Sequence, residues 1–97
     1  MEPGRELDAL IAEKVMGLPK DESERMPQHY STNIAAAWEV MEKLAADKWF
    51  TMVRYDQQRG HSRKWYTCAL GRGQLGHRGD AETAPHAICL TALKVVE

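Results

Sequence analysis

Apolar residues between positions 30 and 46 recur with a helical period. Ile34, Trp38, Met41, Leu44 and Ala45 fall at spacings of 4, 3, 3 and 1, which draws one stripe down a helix. The run Ala35–Ala37 adds helix propensity and a slim flank for close packing. Ser31 or Thr32 can cap this helix, because either hydroxyl can accept from the free amides of a first turn. Upstream, Leu7, Leu10, Ile11 and Val15 form the stripe of a helix over Arg5 to Met16, closed by Gly17 and Pro19, residues suited to the end of a helix. Lys20 to Gln28 is polar and contains Pro27, so it reads as a loop.

From Trp49 the period changes. Residues 49–55 are rich in aromatic and β-branched side chains, as in a strand. Residues 56–60 carry turn chemistry, and residues 63–70 form the return strand of an antiparallel hairpin. A third strand fits between Arg72 and Glu82, although Gly71, Gly73, Gly76 and Gly79 weaken it. Thr83 can cap a last helix with Pro85 in its first turn and Ile88, Cys89, Ala92 and Val96 along one face. The expectation is an α+β fold: one domain over residues 1–97, its two- or three-stranded antiparallel sheet sandwiched by helices.

Ninety-seven residues support one modest core, so a homodimer or higher homo-oligomer is expected. No apolar run reaches the roughly 20 residues of a membrane span, and the first residues lack an apolar signal segment, so an intracellular protein is expected. A net charge of -1 argues against general nucleic-acid binding. That total hides an asymmetry. Residues 1–47 hold five basic and ten acidic residues, a balance of -5, whereas residues 48–79 hold seven basic and one acidic, a balance of +6. The second region would attract an anionic partner, or the two regions attract each other. Helix, strands, helix is also the order of a double-stranded-RNA module, but the last helix starts without lysine or arginine, which such modules use.

The segment Arg72 to Gly79 combines glycines, which let backbone amides face an anion, with Arg72 and Arg78, which suit phosphate. It matches no phosphate-loop or dinucleotide fingerprint, and a solvated loop is the plainer reading. Tyr30, Ser31 and Thr32 at a helix start could also meet a phosphate or carboxylate, or simply cap. Trp38, Trp49 and Trp65, with Tyr55 and Tyr66, could stack a planar ring, although the stripe places Trp38 in the core. His29, His61, His77 and His86 are scattered, and no Cys/His spacing suits zinc. Cys68 and Cys89 read as reduced core residues without an activating partner. Binding is therefore favoured over catalysis, with no cofactor.

Three segments carry a family resemblance. Gly4 to Gly17, Tyr30 to Val40 and Thr83 to Cys89, in that order, resemble small phage proteins with the phage ABA sandwich domain. The resemblance implies an antiparallel sheet between helical layers and a phage or prophage origin. The chain departs from the family pattern at Asn33, where aspartate is usual, in a shorter 18–29 loop, and in the Gly/Arg/His stretch before the last helix. In that context the expectation is a non-enzymatic protein of the infected bacterial cytoplasm that captures a small anionic nucleotide signal. Arg54, Arg63, Arg72 and Arg78 would hold phosphates, an aromatic, with Trp38 and Trp65 among the candidates, would stack the base, Tyr30, Ser31 and Thr32 would add polar contacts, and Arg5 would join the ligand contacts. The alternative is a protein–protein adaptor acting on a host factor through a charged surface.

Overall fold

The structure, a computed structural model, describes residues 1–25, 28–57 and 64–96. Helix α1 (Arg5–Leu10) runs directly into a π-helical stretch, Ile11–Val15. Then follow α2 (Lys20–Arg25), α3 (Ile34–Ala46), strands β1 (Phe50–Gln57), β2 (Lys64–Arg72) and β3 (Leu75–Ala81), and α4 (Ala84–Val96). The sheet is antiparallel in the order β1-β2-β3. The expected α+β architecture is present, and its third strand forms despite the glycines.

Strand register decides which side chains reach the core. Phe50 lies opposite Gly71, and Cys68 opposite both Val53 and Gly79. Alternate residues share a face, so Cys68, Leu70, Gly79 and Ala81 look inward, and the side chains among them are buried. Phe50, Met52, Arg54, Thr67, Arg78 and Asp80 look the other way, and Phe50 is 80% and Met52 60% exposed. Helix α4 covers the inner face with Ala87, Ile88, Cys89, Thr91, Ala92 and Leu93 buried. It sits close because position 79 has no side chain: a Cβ there would lie 2.5 Å from Thr91 Oγ. The buried Thr91 hydroxyl donates toward the carbonyls of Cys68 (3.1 Å) and Ala87 (2.8 Å).

Three local expectations are corrected. Asn33, rather than Ser31 or Thr32, caps α3: its side chain accepts from the Ala36 amide at 3.1 Å. The buried face of α3 is Ala37, Val40 and Leu44, while Ile34 and Trp38 are 54% and 55% exposed. The first half of the stripe is turned by one residue, about 100°, with Ala37 and Val40 inside in place of Ile34 and Trp38, while Leu44 is buried as expected and Met41 partly so. Residues 20–25 are helical rather than loop, with buried Ser23 Oγ donating to the Pro19 carbonyl at 3.0 Å. Elsewhere Gly17 takes the expected left-handed conformation (φ 75°), and Thr83 Oγ accepts from the His86 amide at 3.4 Å.

Candidate functional site

A buried contact fixes the geometry between α1 and the turn that precedes α3. Asp8 is 2% exposed and Ser31 fully buried. Asp8 Oδ1 accepts from the Ser31 amide at 2.8 Å and from its hydroxyl at 2.6 Å. Ser31 Oγ accepts from the Gly4 amide at 2.9 Å. One carboxylate and one hydroxyl thus lock the start of α1 onto residues 29–33. The turn closes on itself through the amides of Thr32 (3.3 Å) and Asn33 (2.9 Å), both donating to the His29 carbonyl. Tyr30, 2% exposed, anchors it in the core. Burial, and then the charges of Glu39, Asp8 and Cys89, raise the Tyr30 pKa above its ordinary value.

The lock leaves a cleft of about 320 Å³ lined by Gly4, Arg5, Asp8, His29 and Thr32. Its lining carries a guanidinium, an imidazole and a hydroxyl, with the Asp8 carboxylate engaged by Ser31, around backbone that buried groups hold in place. Arg5 also borders a wider depression of about 480 Å³ with Met1, Glu6, Ala9, Leu10 and Glu13. Two carboxylates there make that depression the poorer place for an anion.

The residues singled out from the sequence do not converge on one place. Arg5 and Thr32 meet in the cleft. Tyr30 and Ser31 are corrected from ligand contacts to structural residues, because both are buried and Ser31 is bound to Asp8. Trp38 is corrected from core to surface and lines a second groove of about 320 Å³ with Met41, Glu42, Ala45, Trp49, Phe50 and Thr51. Arg72 stands 6.0 Å over the ring of buried Trp49, which also meets the His77 ring at 5.8 Å. Arg54 and Arg78 point to the outer face of the sheet, and Arg78 Nε pairs with Asp80 at 3.4 Å. The Thr67 hydroxyl, 2.6 Å from Asp80, holds the Asp80 carboxyl below its ordinary value against the opposing effect of burial, and the Arg78 charge adds to the lowering. Arg63 and the side chain of Trp65 lie outside the described residues.

Sequence reasoning missed Asp8 and His29. Asp8 matched no motif, and His29 lacked a metal-ligand spacing. The available signal was Asp8 one turn from Arg5 on the helix that also carries Leu7 and Ile11.

Neither cysteine offers a reactive thiol. Both are fully buried. Burial, then the charges of Asp8 and Cys68, push Cys89 up to about 12, and burial raises Cys68. Such thiols stay protonated at neutral pH. Among the described residues no group of three or more His, Cys, Asp or Glu could hold a metal ion, and no helix is long and apolar enough to cross a membrane.

Residues 9–93 match the sequence profile of the phage ABA sandwich domain. The chain also resembles a crystal structure of a phage protein from Bacillus cereus ATCC 14579. The two are 33% identical, with a TM-score of 0.66 over 96% of this chain and 90% of the other. No curated protein matches the chain.

Proposed function

For this chain, which belongs to the phage ABA sandwich domain family, we propose capture of a small anionic nucleotide signal without turnover. The setting would be the cytoplasm of the infected bacterial host, and the ligand a cyclic dinucleotide or a cyclic ADP-ribose type of immune signal. One observation carries the reading: Arg5, His29 and Thr32 converge on a cleft whose wall is immobilised by Asp8 and Ser31. A guanidinium beside hydroxyl and imidazole groups suits a phosphate, and a preformed site spends less ordering entropy on its ligand. A volume of about 320 Å³ is at the small end of ligand pockets. It suits a phosphate and its sugar, with the base projecting outside. The buried, protonated thiols favour retention over conversion.

The exposed Phe50 and Met52 favour a second reading, an adaptor docking on a host factor.

The test is thermal unfolding of the purified protein with a panel of cyclic dinucleotides and ADP-ribose derivatives, followed by heat release and analysis of the ligand. Ligand at 100 times its dissociation constant adds about 2.7 kcal/mol. The expected result is a stabilising ligand recovered intact, with the stabilisation lost in Arg5→Ala. Recovery of an altered ligand would replace capture by catalysis. No shift with any nucleotide would leave the adaptor.

A further inference from the structure

The two edges of the sheet are built differently. Edge strand β3 carries Gly76, Gly79, Arg78 and Asp80, and the Lys94 ammonium donates to the Arg78 carbonyl. Charged side chains and cover from a neighbouring helix are usual defences of an edge against another strand. Edge strand β1 has none of these over Phe50 to Tyr55, apart from Arg54. It exposes apolar side chains on both faces: Phe50 (80%) and Met52 (60%) on the outer one, Val53 (36%) and Tyr55 (47%) on the inner one. Among the described residues no strand lies beyond it.

We infer that β1 is a self-association edge, on which a second copy of this chain pairs its own β1 antiparallel about a two-fold axis at Val53. A two-fold perpendicular to the sheet keeps each face continuous, so residues of equal parity must stand opposite each other. Centring on Arg54 would set two guanidinium-bearing residues face to face, which is destabilising. Centring on Val53 avoids this and aligns residues 50–56 of the two strands. Met52 then lies beside Arg54 of the second copy, and Thr51 beside its Tyr55.

The Thr51 position is informative. Thr51 Oγ is a buried polar side-chain atom without a hydrogen-bond partner, and Thr51 lines the groove formed with Trp38 and Phe50. The pairing brings a tyrosine beside Thr51 at the mouth of that groove, where its ring can cover Trp38. Trp38, Phe50, Met52, Val53 and Tyr55 present on the order of 500 Å² per copy, taking about 150–250 Å² for each whole aromatic side chain. The backbone edge adds to this, towards the roughly 800 Å² per partner of a stable interface.

The register makes a charge-dependent test at an exposed position. Met52→Lys places a lysine beside Arg54 of the other copy, twice by symmetry, whereas Met52→Glu places a carboxylate there. Sedimentation or light scattering should find the wild type and Met52→Glu at twice the 11.0 kDa chain mass. Met52→Lys should dissociate at least about tenfold more readily than Met52→Glu, the direction set by like-charge repulsion across strands. Circular dichroism should show both variants folded, and Leu75→Lys, an exposed apolar position on β3, should remain dimeric. A monomeric wild type at about 100 μM, well above a micromolar dissociation constant, would overturn the proposal. Equal effects of the two Met52 variants, or dissociation by Leu75→Lys, would do the same.

Discussion

Asp8→Ala removes the acceptor that holds the first helix to the turn before α3. Two buried donors lose their partner: the Ser31 amide at 2.8 Å and the Ser31 hydroxyl at 2.6 Å. The hydroxyl can rotate toward the Gly4 carbonyl, 3.5 Å away, so part of its loss is recovered. The amide has no such freedom. A buried donor left unsatisfied costs about 1–3 kcal/mol, so the expected loss is about 2–3 kcal/mol. Asp8→Asn keeps an oxygen acceptor but turns charge-assisted bonds into neutral ones of roughly half the strength, for an expected loss of about 1 kcal/mol. For a chain of this size 1 kcal/mol shifts Tm by about 4–8 °C. Urea and thermal unfolding at one fixed protein concentration should order the proteins wild type, Asp8→Asn, Asp8→Ala. An Asp8→Ala protein within about 0.5 kcal/mol of wild type, the range of ordinary surface substitutions, would refute the lock.

Two further outcomes follow from the core. Gly79→Ala should destabilise by about 1–3 kcal/mol through overpacking, since its Cβ would sit 2.5 Å from Thr91 Oγ and 3.2 Å from the Thr91 amide nitrogen. Adding Thr91→Ala removes the nearer clash, so denaturant unfolding of the double variant should show less than the summed loss. A thiol reagent at pH 8 should label neither Cys68 nor Cys89 in the folded protein and both after unfolding. With Cys89 at about 12 in the folded chain against roughly 8.5 unfolded, its thiol contributes stability below about pH 8.5 that is lost as pH rises towards 12. A Tm that did not fall over that interval would count against so deep a burial of the thiol.

Elements governed by short-range chemistry were legible in the sequence. Aromatic and β-branched runs marked β1 and β2, Gly17 marked a helix end, and Thr83 marked a cap. What escaped depended on contacts between distant segments. The third strand looked weak because of its glycines, yet Gly79 is where α4 presses against the sheet. The first half of the α3 stripe was displaced by one residue: Ile34 and Trp38 lie on the sequence stripe but are exposed, and Ala37 and Val40 are buried instead, while Leu44 keeps its expected place. Ser31 carried the right polarity for a ligand contact, but its partner is an aspartate 23 residues upstream, which no local spacing announces. Arg5 and Thr32, both singled out from the sequence, line the cleft. Their juxtaposition follows from the tertiary lock.

The π-helical stretch Ile11–Val15 acts as a phase adjuster. Its wide turn is visible in the Met16 amide donating to the Ile11 carbonyl at 3.0 Å, an i to i+5 bond, and amounts to one residue more than an α-helix would use. Leu7, Ile11, Ala12 and Val15 are all buried along this segment. A wide turn absorbs the extra residue and leaves the turns on either side in phase, whereas an unbroken α-helix of the same length would rotate everything upstream by about 100°. Arg5 and Asp8 can therefore face the turn at 29–33 while Val15 keeps its place in the core. One loosened turn keeps core and cleft in step, and a further inserted residue would turn Arg5 and Asp8 away from the cleft without touching the sheet.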